Sequence, residues 1–395
     1  MPKILRIINR LNLGGPTYNA AYLSKYIGDE FETLLVAGMK DESEASSEFI
    51  VENLGLKPHY IKNMYREISP LNDWKAYKEI KKIIEDFKPD IVHTHAAKSG
   101  ALGRLAAINS GVPVVLHTFH GHVFHSYFNP IKTKIFLTIE RYLAKKTSRI
   151  IAISNIQKEE LCNQYSVAPL SKCEVIPLGF DLDRFQENNE ERRQAFRKKY
   201  GLQEDEIAIG IIGRLVPIKN HELFIKAFAK AKNQTKKKIK AIIIGDGESR
   251  AEVENYVKEN NLSYSADDVK NVDVLFTSWI KQIEIALPGL DIVCLTSFNE
   301  GTPVSLIEAQ AANVPIVSTR VGGIEDIVIE NKTALLAQNN NINEFANQLL
   351  ELIESDTMRA EMSKKGYEHV KSTFSYNTLC KNMNNLYHRL LNEKT

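Results

Sequence analysis

Short apolar runs rich in β-branched residues alternate with stretches of helical spacing along most of the chain. This alternation is typical of βαβ units and predicts parallel sheets. The candidate strands of the first half are "ILRII", "TLLVAG", "DIVHTH", "PVVLHTF" and "RIIAIS", and those of the second half are "IAIGIIG", "AIIIGDG", "VLFTS", "DIVCLTS" and "PIVST". The pattern therefore predicts an α/β fold.

The alternation stops between the two halves of the chain. Pro177, Gly179 and an acidic, polar stretch that ends at Glu191 have the composition of a linker. We therefore predict two doubly wound, Rossmann-like domains, residues 1–178 and residues 179–375.

The end of the chain is predicted to be a helix. Its apolar side chains recur at helical spacing, at Leu379, Met383, Leu386 and Leu390. The apolar face of this helix, about 376–395, needs a partner, and packing back on the first domain is one arrangement that would cover it.

Length and composition limit the classes of protein that this chain can belong to. With 395 residues it is longer than a single core usually grows, which also favours two domains. No apolar run reaches the roughly 18 residues of a membrane span. The net charge of +2 gives no signal for nucleic acid. The four cysteines are scattered, and "MPKILRIINRLN" has no apolar signal region, so we expect a reduced, cytoplasmic protein.

The stretch "SFNEGTPVSLIEAQAANVPIVSTRVGG" places two acids around a Gly-Thr-Pro turn. Glu300 follows a candidate strand and therefore lies at the carboxyl edge of a sheet, where open α/β sheets bind ligands. Thr302 is a candidate N-cap and Pro303 suits the first helical position. We therefore expect Glu308 about two turns into a helix that starts beside Glu300.

The start of this helix is expected to favour an anion. Free amides are predicted at Val304, Ser305 and Leu306, at the positive end of the helix dipole. Acids on both sides would repel a phosphate unless each acid met neutral hydroxyls. A nucleotide-sugar has this order of groups: sugar, diphosphate, ribose. The alternative interpretation is one surface acid and one acid that belongs only to the first turns of a helix.

Two cations follow a strand in "GIIGRLVPIKN". Arg214 and Lys219 could neutralise a leaving diphosphate as fixed charges, without a metal. The Asp-x-Asp pair that could hold a metal, Asp181 and Asp183, falls in the predicted linker. We therefore expect no requirement for a divalent metal. The alternative for the two cations is a solvated βα turn.

A glycine pair ends the first candidate strand, in "INRLNLGGPTYNAAYLSKYI". Gly14 and Gly15 would permit a ligand to approach the backbone closely. The third glycine and the acidic partner of a dinucleotide-binding fingerprint are missing. A plain tight turn is the alternative.

Histidines cluster at the ends of two candidate strands, at His93, His95, His117, His120, His122 and His125. Side chains two apart on a strand share a face, so His93 with His95, or His120 with His122 if that segment is extended, could in principle bind zinc. A metal-dependent hydrolase is therefore a rival hypothesis. Against it, the chain lacks an H-E-x-x-H motif and a nearby set of carboxylate ligands. Satisfied buried polar contacts are the other interpretation of His93, His95 and His117.

Together these motifs resemble the retaining glycosyltransferases of family 4, which have the GT-B fold. That family carries a Glu, seven residues and a second Glu, followed by a small-residue-rich helix, and "NEGTPVSLIEAQAANVPIVSTRVGGIEDIV" fits this pattern. The Gly-Arg-Leu with a Lys five residues after the Arg is also similar. The resemblance covers nearly the whole chain and is strongest from Arg214 to Gly323.

The resemblance implies roles for the residues of the second domain. Glu300 would contact hydroxyls of the donor sugar, and Glu308 would hold the ribose diol. Backbone presented to the diphosphate or sugar would come from Gly301, Thr302, Pro303 and Val304.

The resemblance also assigns residues around the reacting centre. Arg214 and Lys219 would face the leaving diphosphate, and Trp279 would mark the backbone that meets the base. In the first domain Gly15 would face the transfer centre, and His120, in a strand-end "TFH", would face the donor sugar. The expected catalytic residues are therefore His120 and Glu300.

The expected activity is transfer of a sugar, with retention, from a UDP-hexose or UDP-N-acetylhexosamine to an acceptor hydroxyl. The nucleotide-sugar is a co-substrate, and no separate cofactor is expected. The expected acceptor is a lipid-linked or polysaccharide precursor of a bacterial cell-surface glycan. A nucleotide-sugar epimerase, a phosphorylase with a pyridoxal phosphate lysine and a sugar-binding module remain as alternatives.

One further segment, "NPIKTKIFLTIERYLAKKTSRI", interleaves apolar and basic residues. Such a helix can lie peripherally on the cytoplasmic face of an anionic membrane. The alternative is a core helix with a solvated basic face.

Overall fold

The computed structural model describes residues 1–12, 15–39, 47–121, 130–266 and 272–394. The chain divides into two compact units, the first formed by Met1–Phe180 with Thr373–Thr395 and the second by Asp181–Ser372. The first unit therefore contains both ends of the chain.

Within its described residues, the first unit has a parallel seven-stranded sheet in the order β3-β2-β1-β4-β5-β6-β7. The strands are β1 (Lys3–Ile8), β2 (Glu32–Gly38), β3 (His59–Ile61), β4 (Ile91–His95), β5 (Val114–Phe119), β6 (Arg149–Ala152) and β7 (Cys173–Val175). The helices are α1 (Gly15–Tyr26), α2 (Glu48–Asn53), α3 (Pro70–Phe87), α4 (Ala97–Asn109), α5 (Pro130–Lys146), α6 (Asn155–Glu159) and, from the end of the chain, α14 (Tyr376–Asn392).

The second unit repeats this architecture. Its described residues form a parallel seven-stranded sheet in the order β10-β11-β9-β8-β12-β13-β14. The strands are β8 (Glu206–Ile212), β9 (Lys238–Ile244), β10 (Tyr264–Ser265), β11 (Val274–Ser278), β12 (Ile292–Leu295), β13 (Ile316–Thr319) and β14 (Ala334–Ala337). The helices are α7 (Asn189–Lys199), α8 (His221–Lys232), α9 (Arg250–Glu259), α10 (Ile283–Ala286), α11 (Val304–Ala311), α12 (Ile342–Glu354) and α13 (Asp356–Phe374).

The prediction of two doubly wound α/β units is confirmed. Sequence inspection missed four strands: β3, β7, β10 and β14. Each has two to four residues and forms an edge of its sheet within the described residues. Runs this short carry little periodicity, so only the sheet neighbour identifies them. The predicted linker is partly wrong, because α7 already begins at Asn189, before Glu191.

The C-terminal helix α14 completes the core of the first unit. Leu379, Met383, Leu386 and Leu390 are buried together with Ile4 of β1. Without α14 this face of the central strands would be open to water, at a cost of about 1.5 to 3 kcal/mol for each large apolar side chain.

Arg6 is fully buried on the same face of β1. Its guanidinium donates to Ser24 Oγ at 3.1 Å, to the carbonyl oxygen of Leu23 at 3.3 Å and to Tyr387 Oη of α14 at 3.0 Å, and it contacts His93 Nδ1 at 3.0 Å. Within the described parts of the chain no carboxylate pairs with Arg6. Its charge therefore depends on neutral acceptors, one of which is supplied by the end of the chain.

No helix within the described ranges is both long and apolar enough to cross a membrane.

A buried ion pair connects α4 to α5. Arg104 is fully buried, and its Nη2 donates to Glu140 Oε2 at 2.6 Å. Arg104 Nε also donates to the carbonyl oxygen of Gly100 at 2.8 Å. Removal of one partner of such a pair leaves an uncompensated buried charge.

We expect Glu140→Ala to lower the free energy of unfolding of the first unit by about 3 to 5 kcal/mol, because Arg104 loses its counter-charge. Urea unfolding should be followed by tryptophan fluorescence in a Trp279→Phe background, which leaves Trp74 as the tryptophan of the first unit. The double variant Arg104→Met, Glu140→Leu should recover most of the loss. A double variant as unstable as the single one would show that packing, not charge, causes the loss.

Candidate functional site

An ion pair joins two loops of the second unit where the strand order reverses, between β8 and β12. Lys219 ends a short 3-10 turn after β8, and Glu300 follows β12. Lys219 Nζ lies 2.5 Å from Glu300 Oε1, and both side chains are largely shielded from solvent. This edge of an open α/β sheet, at the reversal of strand order, is where such sheets bind ligands.

Hydroxyl groups hold this pair in place. Ser297 Oγ donates to the same Glu300 oxygen at 2.5 Å, and Thr296 Oγ1 donates to the carbonyl oxygen of Lys219 at 3.0 Å. Sequence inspection missed both residues. The signal that could have identified them is the "TS" directly before the loop, at the carboxyl end of a buried strand.

A glycine pair lets the Glu300 loop pack closely on a neighbouring turn. Gly322 has φ 51°, and a Cβ on it would lie 1.9 Å from the carbonyl oxygen of Glu300. A Cβ on Gly323 would lie 2.0 Å from the carbonyl oxygen of Gly301. The amide of Gly323 also donates to the Glu300 carbonyl at 3.0 Å. The "VGG" of the motif therefore fixes the backbone that carries Glu300.

The start of α11 differs from the prediction. The helix begins at Val304, and Pro303, with an extended ψ of 98°, is its N-cap, so Thr302 is not the N-cap. The amide of Leu306 donates to the carbonyl oxygen of Pro303 at 3.1 Å, so the prediction that it is free is wrong. Because Pro303 has an extended ψ, it lies outside the helix, and the start is one position later than predicted.

Glu308 lies one turn into α11, closer to its start than predicted. It pairs with Arg184 at 3.6 Å, a residue of the predicted linker whose role sequence inspection missed. Burial raises the pKa of Glu308 to about 7, although the Arg184 charge acts in the opposite direction. The acid therefore combines a desolvated carboxyl with one nearby cation.

Two other predicted donor-site residues, Arg214 and Trp279, lie on the same unit. Arg214 is exposed and pairs with Glu248 at 3.0 Å. Trp279 follows β11 and is exposed. Among the described residues no hydrogen bond or ion pair joins either residue to Lys219 or Glu300. The backbone at Gly301 has open space where a Cβ would be.

In the first unit the predicted residues also lie at the carboxyl edge of the sheet. His120 follows β5, and its Nε2 lies 2.9 Å from Nδ1 of His95, the last residue of β4. Burial lowers the pKa of His120 to about 3, so its ring is neutral at pH 7. Gly15 begins α1, and a Cβ on it would lie 2.9 Å from the side-chain end of Leu178. Gly14 lies outside the described residues.

The zinc hypothesis is not supported by the geometry of His93. Its Nδ1 lies 2.6 Å from Tyr387 Oη and 3.0 Å from Arg6, and its Nε2 lies 2.7 Å from Thr118 Oγ1. Both ring nitrogens are therefore already used. Across the described ranges no three potential ligands converge on one point, and His122 and His125 lie outside those ranges.

Two family models match the chain. The model for glycosyl transferases group 1 matches residues 192–369, and the model for glycosyltransferase family 4 matches residues 14–184. The two matches fall on the two halves that the strand pattern separates.

Two curated relatives are similar to this chain over more than two thirds of its length. The UDP-Gal:alpha-D-GlcNAc-diphosphoundecaprenol alpha-1,3-galactosyltransferase of Escherichia coli is 30% identical over 325 residues, which cover 81% of this chain and 80% of that protein. The D-inositol 3-phosphate glycosyltransferase of Kribbella flavida is 27% identical over 299 residues, which cover 71% of this chain and 67% of that protein. The names of these two proteins specify different compounds.

Among solved structures, Anabaena HepE in complex with UDP matches with a TM-score of 0.81 over 98% of this chain and 100% of that chain. At 18% sequence identity this likeness establishes the fold alone.

We expect the stability of the second unit to fall as pH rises from about 4.5 to 7, because Glu308 keeps a proton in the folded state that the unfolded chain has released. Glu308→Gln removes this dependence, so its advantage over the wild type should grow with pH to about 3 kcal/mol at most. Urea unfolding across this range, read from Trp279 in a Trp74→Phe background, measures the difference. Parallel curves for both proteins would contradict the raised pKa.

Proposed function

Because the chain belongs to the family 4 glycosyltransferases of GT-B fold, we propose that it is a retaining enzyme that transfers a sugar from a UDP-sugar to a lipid-linked or polysaccharide acceptor. The sugar is a hexose or an N-acetylhexosamine. The acceptor is a precursor of a bacterial cell-surface glycan.

The Lys219–Glu300 ion pair is the observation that carries the proposal. It places a cation and an acid together at the point where the strand order reverses. Glu300 also lies four residues before the start of α11. Lys219 has three ammonium protons, so it can stay near Glu300 and still donate to a phosphate oxygen. Glu300 then accepts hydroxyls of the sugar, and the amides at the start of α11 face the diphosphate. Glu308, one turn further along, accepts the ribose diol.

The reaction breaks the bond between the anomeric carbon and the diphosphate oxygen and forms a bond from that carbon to the acceptor oxygen, which loses its proton. Negative charge develops on the leaving diphosphate oxygen. Lys219, Arg214 and the positive end of α11 stabilise that charge as fixed groups. The backbone of Gly301, Thr302, Pro303 and Val304 contacts the diphosphate or sugar, and Trp279 marks the base. In this proposal His120, which is neutral, orients a hydroxyl or stabilises charge at the reacting carbon, and Gly15 faces the transfer centre.

The choice of UDP rests on the relatives. The Escherichia coli relative is named for a UDP-Gal donor, and the Anabaena structure contains UDP. The lipid-linked acceptor rests on the same Escherichia coli protein, whose name specifies a diphosphoundecaprenol acceptor.

The surface of α5 supports a peripheral position at the cytoplasmic face of the membrane. Ile135, Ile139 and Tyr142, spaced by four and three residues, expose one apolar stripe to solvent. The acid of this segment, Glu140, is buried against Arg104, so the exposed charges from 132 to 146 are all basic. An exposed apolar stripe between basic side chains is the pattern of an interfacial helix, whereas a core helix would bury its large apolar residues.

We expect UDP-sugars to raise the melting temperature in a panel of uridine, guanosine and adenosine diphosphate sugars, because a ligand that binds the folded state stabilises it. Glu308→Ala should weaken UDP binding, at about 1.5 to 3 kcal/mol for the lost charged hydrogen bonds. Glu300→Gln should lower turnover more than UDP affinity. Equal effects of both changes on UDP affinity would contradict this division. Turnover of the donor without any acceptor would instead indicate an epimerase or a hydrolase.

We expect activity to survive EDTA, because Lys219, Arg214 and the start of α11 replace a metal at the diphosphate. Lys219→Ala and Arg214→Ala should each lower turnover by about 10²-fold or more. Steady-state kinetics with and without EDTA provide the measurement. Magnesium rescue of EDTA-treated enzyme, or a near-wild-type Lys219→Ala, would overturn the metal-independent site.

We expect the protein to co-sediment with anionic vesicles at low salt and to be released at high salt, where charges are screened. The triple variant Lys134→Gln, Lys145→Gln, Lys146→Gln should bind roughly a hundredfold more weakly, at about 1 kcal/mol for each lysine near the surface.

The control for this experiment is a triple variant of equal charge on exposed lysines of the second unit: Lys198→Gln, Lys199→Gln, Lys332→Gln. It should bind vesicles like the wild type. Equal loss in both triple variants would show a response to net charge alone, and no binding of the wild type would remove the membrane proposal.

A further inference from the structure

A hydrogen bond joins the buried His95 to the partly buried His120 at the carboxyl edge of the first sheet. His95 Nδ1 and His120 Nε2 are 2.9 Å apart, and their rings are stacked with centroids 5.2 Å apart. His95 is fully buried at the last position of β4, and its backbone is held by the sheet on both sides. His120 lies just beyond the end of β5, so its ring depends more on side-chain contacts for its orientation.

We propose that His95 is a positioning residue for His120: it fixes the orientation of the His120 ring and couples the ring protons of the two residues. The role of His120 at the reacting carbon is part of the proposed function, and the inference rests on it. His95 itself does not touch the substrate.

Neighbouring groups already fix the protons on the other two strand histidines. Arg6 is always charged and can only donate, so His93 Nδ1 is an acceptor and His93 carries its proton on Nε2, facing Thr118. Thr94 Oγ1 gives its proton to the carbonyl oxygen of Leu116 and therefore accepts from Nδ1 of His117. Neither ring can change its tautomer without losing one of these hydrogen bonds.

The pair of His95 and His120 is different, because its protons are set only by the shared bond. Burial lowers the pKa of both rings, so each is neutral at pH 7 and has one N–H. If His95 Nδ1 donates, His120 must carry its own proton on Nδ1. If His120 Nε2 donates, His95 must carry its proton on Nε2. The two rings therefore always have the same tautomer, both Nδ1–H or both Nε2–H.

The remaining nitrogen of His120 is the one left for a ligand. Its Nδ1 is buried and has no hydrogen-bond partner among the residues that the structure describes, as is also the case for His95 Nε2 and His117 Nε2; of the three, the His120 nitrogen belongs to the residue that the proposed function places at the reacting carbon. An unpaired buried nitrogen costs free energy unless a ligand satisfies it. Through the shared bond, the tautomer of His95 decides whether His120 offers a sugar hydroxyl a donor or an acceptor.

Substitution at His95 can separate this role from simple packing. Asparagine places its amide near the position of the histidine Nδ1, so His95→Asn keeps a partner for His120. Glutamine places its amide near the position of Nε2, so His95→Gln fills similar space without that partner. We expect His95→Gln to lower kcat on the order of tenfold to a hundredfold, the scale of a misplaced reacting group. UDP affinity and the KM for the donor should stay within about twofold, because the donor is held by the second unit.

The matched control is His117→Gln, which removes the corresponding Nδ1 contact from an equally buried strand histidine. Its kcat, corrected for the folded fraction by UDP titration, should equal that of the wild type. His95→Asn should recover most of the kcat lost in His95→Gln. Equal losses in His95→Gln and His117→Gln, or no recovery in His95→Asn, would reduce His95 to a packing residue and overturn the proposal.

A second readout does not need turnover. Ring-nitrogen NMR spectra of the full chain labelled with 15N-histidine, assigned from the His95 and His120 single variants, should show matching tautomers for the two rings at pH 7. Mixed tautomers would overturn the proposal even if the enzyme is active. Matching tautomers in a protein that turns over no nucleotide-sugar would leave the pair intact and remove the proposed function instead.

Discussion

The buried charge of Arg6 is the constraint around which the first unit is organised. A guanidinium on a central strand cannot be left without acceptors, because a desolvated charge costs several kcal/mol. Its acceptors come from α1, from β4 and from Tyr387 of α14, so one side chain connects three segments that are far apart along the chain. The same contacts determine the protons of His93 and so leave His95 and His120 as a separate pair. The buried charge and the histidine pair nevertheless lie next to each other, because the ring centroids of His93 and His95 are 4.3 Å apart.

The second unit also has to hold charged side chains that are largely shielded from water. The Lys219–Glu300 pair is held by backbone carbonyls, small hydroxyls and a glycine turn, so the charges are oriented before any ligand arrives. Preorganised groups of this kind need little rearrangement when charge develops in a reaction. The first unit instead offers neutral, desolvated rings. The two units therefore differ in chemical character although they share one architecture.

The sequence predicted the architecture because apolar periodicity is a local signal, and the long central strands and α14 are strongly periodic. Its motifs also singled out Glu300 and Lys219, which the fold joins in an ion pair, and His120, which follows β5; the functional roles of these residues stay predictions. It did not identify Arg184 or His95 as partners, because they meet Glu308 and His120 only after the chain has folded. The start of α11 was misplaced because Thr302 and Pro303 satisfy a local rule that the neighbouring turn overrides. Such contacts depend on tertiary structure and leave no local trace.

The contribution of α14 to the first unit also affects how the protein is made. The last core residues of the first unit come from positions after 373. The ribosome therefore synthesises the whole second unit before the core of the first unit can be complete. Until then β1 has an apolar face without its covering helix, and Arg6 lacks one of its acceptors. A nascent chain in this state is a natural client for chaperones, because exposed apolar surface promotes aggregation. The order of synthesis therefore favours completion of the second unit first, the reverse of the usual course from the N-terminus.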